Sequence, residues 1–378
     1  QAVMRIDPER VDRLIDLVGE LVISQVMLAQ KVQEARLPAS SGLASSLEDL
    51  EQLTREIQDG VMAIRAQQVK AVFQRMPRLM REVAAALYLA TSMFRQASAV
   101  WFNPEVGEQL DREKLLNGVA AAHAVLSQDA GPSAAQAIMT TDSVAKVAHH
   151  TSPAGWAIGG MAKGAGMLAP GLATMLVVIT TDAVVDSDAL DRALRSATRV
   201  SFDRLDSDGC MSTNDQVTLM ASGASGVSPS ESEFQTALTD ICMSLALQLL
   251  RDAEGSSHDI AIEVVNAASE ADAVEVGRSV ARNNLFKAAI YGNDANWGRI
   301  LAAVGVTSAE FDPYDIDVDI NGVSVSRKGQ PDQPRELVDL TPREVAIKIS
   351  LNAGPYSATI YTNDLTHEYV TENSAYSS

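Results

Sequence analysis

The sequence predicts an α+β chain, an N-terminal antiparallel helical hairpin followed by a layered α/β domain. Three observations carry that expectation. Apolar residues recur at heptad-like spacing through the first 87 residues. Beyond about Val106 the pattern alternates between helical and strand periods. The charge divides in the same way: residues 1–87 balance at −1, whereas residues 88–378 carry −18 of the total −19.

The front piece opens on Asp7-Pro8, a carboxylate cap followed by proline at the first helical position. Val11, Leu14, Val18, Leu21, Leu28 and Val32 then form one stripe, with Gln25 in its seam. After "LPASSGLAS", Ser46 and Asp49 make a variant capping box. A second stripe follows, made of Leu50, Leu53, Ile57, Val61 and Ile64, with a kink expected at Pro77. A hairpin of two such helices leaves an apolar stripe open, which predicts self-association into a four-helix bundle. Residues 88–104 are read as a junction, broken by Pro104 and Gly107.

In the rear piece, "DSDALDRALRSATRV" (186–200) predicts a helix opened by Asp186 or Ser187. Phe234, Leu238, Ile241, Leu245 and Leu249 predict another over 231–253, with Gly255 beyond its end. "DIAIEVV" alternates as a strand, and "DIDVDINGVSVS" as a hairpin about Asn321-Gly322. "VAIKISL" and "SATIYT" add late strands. The run from Gly159 is read as a glycine-rich loop entering a buried strand at Met175–Ile179.

Composition narrows the function. The acidic rear piece repels nucleic acid and anionic membrane. Apolar runs of about ten residues fall short of the roughly 20 that span a bilayer. No basic-then-apolar leader opens the chain, and Cys210 and Cys242 are the only cysteines, so a cytoplasmic protein without disulfides is expected. "GAGMLA" (164–169) matches a dinucleotide-binding glycine pattern, but is read as preceding a strand and opens no helix. "DVDING" (317–322) begins like a calcium loop, yet Lys328 stands where its twelfth-position glutamate belongs. His149-His150 reads as a solvated loop and His123 as a structural residue of a helix, so no metal site is expected.

The remaining candidate is Thr174, preceded by Ala173 at the entry to the buried strand. A threonine hydroxyl is a poor nucleophile without a base. Cleavage of the Ala173–Thr174 peptide would give Thr174 an α-amine of pKa near roughly 8, able to take the proton of its own hydroxyl. The same hydroxyl can perform the cut by attacking the Ala173 carbonyl.

Two resemblances add to this reading. "RIDPERVDRLIDLVGELVISQ" and "LTREIQDGVMAIRAQQVKAVFQRMPRLMREVA" resemble the dimerisation domain of chemotaxis-type histidine kinases over roughly residues 3–86. That family's ATP-binding domain is not seen, and residues 1–87 contain no histidine. "GGMAKGAGMLAPGLATMLVVITTDA", "STNDQV", "NDANWGRILAAVG" and "DLTHEYVTENSAYSS" together resemble the ornithine acetyltransferase (glutamate N-acetyltransferase) family over roughly residues 105–378. That resemblance implies self-cleavage before Thr174 into two fragments that stay together. It implies ping-pong transfer of an acetyl group from N-acetylornithine to Thr174 and then to glutamate, with no metal or bound cofactor. Some members also accept acetyl-CoA.

Carried over by position, the resemblance makes Lys163 a substrate-site cation and Thr140 or Thr141 a polar contact. It sets Glu254 against the substrate amine and closes the pocket with Asn373 and Ser378. Two departures are visible. The hairpin stands where the family has about a hundred residues of strands, so the domain reads as truncated at its N-terminus. Asn103-Pro104 replaces the family's oxyanion-hole Thr-Gly pair, and proline has no N–H to donate. Losing one such donor costs about 10²–10³-fold in turnover, so impaired transfer is expected. The rival expectations are a non-catalytic dimeric fusion and a signalling fragment derived from a histidine kinase.

Overall fold

The computed structural model describes residues 112–124, 130–169, 175–211 and 215–375. The hairpin expected over 1–87 and the junction at 88–104 lie outside the described residues. The chain divides into two units, 1–124 and 125–378. In the first, the described residues form helix α1 (Arg112–Ala124), which carries His123 in its last turn.

The second unit is built on two sheets. The first has order β1-β2-β3-β4: β1 (Lys146–Thr151), β2 (Ala157–Lys163), β3 (Leu176–Thr181) and β4 (Gln216–Ala221). The first three run antiparallel, and β4 lies parallel to β3. Helix α2 (Gly131–Ala137) precedes them, with proline in its first turn where a missing N–H costs nothing.

Helices α3 (Ser187–Val200) and α4 (Glu231–Arg251) cover this sheet. Asp186 caps α3 by accepting from the N–H groups of Asp188 and Ala189, and Ser230 caps α4 through Glu233 N–H. The apolar stripe read for α4 is its buried face, and the helix ends at Arg251, two residues before the expected boundary.

The second sheet has order β10-β5-β9-β6-β7-β8, from β5 (Asp259–Ala267), β6 (Asp317–Ile320), β7 (Val323–Arg327), β8 (Gln330–Pro331), β9 (Glu344–Ser350) and β10 (Tyr356–Asn363). Helices α5 (Glu270–Ala281), α6 (Asn284–Tyr291) and α7 (Trp297–Val304) gather around it, and α8 (His367–Ala375) follows β10. Ile260, Ile262 and Val264 of β5 alternate into a core shared with Ile347, Ile349 and Val276. The hairpin about Asn321-Gly322 is as expected: both residues have positive φ, the conformation a two-residue I′ turn requires.

Three readings are corrected. His149-His150 is part of strand β1, exposed on its edge, and not a loop. Of the glycine-rich run from Gly159, residues 159–163 belong to strand β2, while 164–169 form a loop as expected. A β-carbon on Gly160 would stand 3.0 Å from Leu245 of α4 and 3.1 Å from Ile179, so the glycine lets helix and sheet approach closely. "GAGMLA" therefore follows a strand as well as preceding one, and it still opens no helix. Strands β1, β2, β4 and β8 were not read as strands from the sequence.

Candidate active site

Two registers build the site. β2 and β3 pair antiparallel with Lys163 opposite Leu176, and β3 and β4 pair parallel with Leu176 opposite Gln216. The end of β2, the start of β3 and the start of β4 therefore meet at one edge of the first sheet. Ala173 and Thr174 lie outside the described residues, as do Asn103, Pro104 and Ser378. Met175, the residue after Thr174, is described and is fixed at both of its backbone groups. Its N–H donates to Asp215 Oδ1 at 2.8 Å, and its carbonyl accepts from Gln216 N–H at 3.0 Å.

Lys163 closes β2 and is only 4% exposed. Burial pulls its ammonium below the ordinary lysine range, opposed first by the carboxylate of Asp142 and also by those of Asp215 and Glu254. Asp142 is buried, which by itself raises its pKa. Hydrogen bonds from Gly164 N–H (2.6 Å), Lys146 Nζ (2.7 Å) and Thr140 N–H (3.0 Å) outweigh that and hold it below the usual carboxylate range. Lys146, fully buried, reaches across to Asp252 Oδ2 at 2.5 Å. This buried Asp142–Lys146–Asp252 chain props the backbone immediately after Lys163, and sequence reading missed all three of its members.

Glu254 follows α4. Its N–H donates to Ala165 O at 2.9 Å, and its carboxylate lies over Gly166. A β-carbon on Gly166 would stand 2.6 Å from Glu254 Oε2, so the glycine makes room for the charge. Thr366 Oγ1 donates to Gly255 O at 2.6 Å and accepts from Tyr369 N–H at 2.9 Å, which sets the start of α8 against the Glu254–Gly255 turn. Burial, together with Asp208, Cys210 and Glu254, raises the Tyr369 hydroxyl to about 12. It therefore stays neutral at physiological pH.

Thus Lys163 and Glu254, read from sequence, are brought together. Thr140 joins them through its backbone bond to Asp142, while the side chains of Thr140 and Thr141 are exposed. Asn373 sits exposed on α8, its amide donating to Tyr369 O one turn earlier at 2.9 Å. Asp215 was also missed as a site residue, although "STNDQV" was noted. Burial raises its carboxyl to about 7, against the opposing pull of the Met175 hydrogen bond and Lys163. Met175, Asp215 and Gln216 line a cavity of about 410 Å³ with Leu168, Ala169 and Phe202 among its other walls.

The ArgJ family model matches residues 31–378. The chain belongs to the ArgJ family. The arginine biosynthesis bifunctional protein ArgJ of Streptomyces avermitilis is 61% identical over 273 residues, covering 72% of this chain and 71% of that one. The protein of the same name from Thermobifida fusca is 59% identical over 272 residues, with the same coverage of both chains. The crystal structure of arginine biosynthesis bifunctional protein argJ from Bacillus halodurans shares 35% identity and a TM-score of 0.51, covering 53% of this chain and 98% of that chain. The family match begins inside the stretch read as a helical hairpin. Among the described residues no helix is long and apolar enough to cross a membrane.

Proposed function

We propose that this chain transfers an acetyl group from N-acetylornithine to glutamate in arginine biosynthesis, through an acetyl ester on Thr174. The observation that carries the reading is the register at the sheet edge. It sets Lys163, Asp215 and the backbone of Met175 together at the residue following the expected nucleophile. Membership of the ArgJ family and the names of its relatives support the pathway.

In this reading the Ala173–Thr174 peptide is cut, and the two fragments stay associated through the shared β2–β3 pairing. The freed α-amine then takes the Thr174 hydroxyl proton, and the oxygen attacks the acetyl carbonyl of N-acetylornithine. Ornithine leaves, and glutamate takes the acetyl group from the ester in a second half-reaction of the ping-pong type. Lys163 suits the substrate carboxylate, and Glu254 suits the cationic ornithine amine. Thr140 or Thr141, Asn373 and Ser378 complete the pocket. No metal or bound cofactor takes part, and acetyl-CoA is an alternative acetyl donor.

Asn103-Pro104, in place of an N–H-donating pair, lowers turnover by about 10²–10³-fold relative to a family member with both donors. An acetyl-exchange assay with N-acetylornithine and glutamate, run beside intact mass, tests the reading. Two fragments split before Thr174 and measurable exchange support it; a folded, uncleaved chain without exchange overturns it. The curated relatives reach 72% of the chain, and residues 1–87 are proposed to serve association instead. Light scattering of the full chain then gives a dimer.

A further inference from the structure

The chain carries a net charge of −19, yet four arginines converge on one cavity. Helix α5 supplies its first wall. Ala271, Val274 and Arg278 share one face of that helix, and Arg282 follows one turn on, just past its end. Arg199, in the last turn of α3, and Arg204, in the turn Phe202–Arg204, form a second wall. Val306, beyond α7, adds apolar surface, and the cavity measures about 950 Å³.

Most of the nearby carboxylates are already engaged. Glu270 accepts from Arg199 at 3.0 Å and from Arg204 at 2.5 Å. Glu275 accepts from the N–H and the hydroxyl of Ser308, at 2.7 Å and 2.9 Å. Asp206, fully buried, accepts from Arg282 Nε at 2.7 Å. Asp203 also lines the cavity, but it is exposed, so water and salt screen its charge.

Two of the guanidiniums keep free donors. Arg278 has no ion-pair partner among the described residues. A terminal amino group donates to Asp203 O at 3.0 Å, and its Nε is buried with no hydrogen-bond partner among the described residues. Arg282 bonds through Nε, which leaves both of its terminal amino groups without a partner among the described residues. Burial disfavours the charged form of Arg278. Asp206 opposes that, while Arg282 and Arg204 add repulsion. Three like charges gathered at one cavity, one of them short of a partner, cost free energy that a bound anion offsets. The hydroxyls beside them add no donors, because Ser279 and Thr307 give theirs to Ala303 O and Val304 O. What remains is guanidinium N–H, which selects a ligand rich in acceptors.

We propose that this cavity binds a small organic phosphate, its phosphate held by Arg278 and Arg282 and its apolar part laid against Val274 and Val306. A guanidinium fork matches phosphate oxygens. Two forks one turn apart serve a group with three acceptor oxygens better than a carboxylate with two. The inference does not rest on the Thr174 reading.

Phenyl phosphate is the probe, titrated calorimetrically into the full chain. Benzoate, phenol and inorganic phosphate are run in parallel at one ionic strength. One-site binding of phenyl phosphate is expected, tighter than that of the other three. Arg278→Gln should weaken it by about tenfold or more. Arg282→Lys keeps the charge but loses the fork, and should weaken it several-fold. Arg195→Gln is the control, since that side chain lines the cavity beside Met175 and should leave binding unchanged. No saturation by about 10 mM, or benzoate binding as tightly, overturns the proposal. So does binding lost in Arg195→Gln, or unchanged in Arg278→Gln. Should Arg278→Gln fail to fold, Arg282→Lys decides: an unchanged affinity there overturns it.

Discussion

The two sheets of residues 125–378 obey the same strand physics and are used differently. The six-stranded sheet buries Ile260, Ile262, Val264, Val318, Ile347 and Ile349, and its buried polar side chains are mainly hydroxyls such as Ser324, Ser326 and Thr362. The four-stranded sheet buries Lys146 and Lys163 at its strand ends, with Asp142 beside them. Burying a charge is expensive unless it is paired, and Lys163 is opposed by several carboxylates rather than held in one tight pair. An apolar sheet of this kind supplies stability. A sheet that holds its cations at one edge, beside a cavity, gives up some stability for chemistry. Hydrogen bonds join the halves: Asp206 N–H, in the loop before β4, donates to Tyr361 O at 2.8 Å, and the Asn363 amide donates to Leu250 O of α4 at 3.1 Å.

Substitutions in the two halves should therefore separate stability from activity. The largest effect is expected in the apolar sheet. Ile262→Ala, at a fully buried position, should cost about 2–5 kcal/mol of unfolding free energy. Denaturant melts check this, and acetyl exchange per folded molecule should not change; a fall in activity per folded molecule would break the contrast.

In the other sheet, Lys163→Met should weaken substrate use by about ten- to a hundredfold, the worth of a charged hydrogen bond of about 1.5–3 kcal/mol. KM for N-acetylornithine and for glutamate reads this. Equal KM values in mutant and parent would remove Lys163 from substrate contact.

Gly166→Ala is the subtler version. The added methyl meets only the far end of the flexible Glu254 side chain, so Glu254 moves and the fold persists. Ornithine-side KM should rise by roughly tenfold, about 1.4 kcal/mol, with the melting temperature nearly unchanged.

The smallest effect concerns the cap of α3. Asp186 accepts from the N–H groups of Ala189 and Asp188, which holds its exposed carboxyl below the ordinary range. A depressed folded-state value stabilises the fold above the unfolded pKa, near about 4, and the benefit fades as pH falls through the folded value. Asp186→Asn should therefore melt slightly below the parent at neutral pH, and the difference should close in acid. A pH series of melting curves measures it.

Legibility followed periodicity. The stripe of α4, the cap at Asp186 and the Asn321-Gly322 turn were readable because each is local: a spacing, a side chain and two dihedrals. β2 was misread because Gly159 and Gly160 look like loop, while Gly160 is glycine because helix α4 packs across it. His149 and His150 were misread because an exposed edge strand shows no buried face. At the site, Lys163, Glu254 and Thr174 came from motif resemblance, whereas Asp142, Lys146, Asp252 and Asp215 carry no local mark. Asp252 lies 106 residues from Lys146 in the chain, and Asp215 lies 40 from Met175.

By itself, the sequence determined the family, the mixed helix-and-strand character, the capped helices and the position expected to hold the nucleophile. Those follow from short-range spacing and from motif order, which survive without any fold. Only the tertiary structure decided which charges are buried, which are paired, and which buried carboxylate oxygens lack a hydrogen-bond partner among the described residues. Strand register sets these, because pairing Lys163 with Leu176 and Leu176 with Gln216 is what carries distant residues to one edge and shuts water away from them.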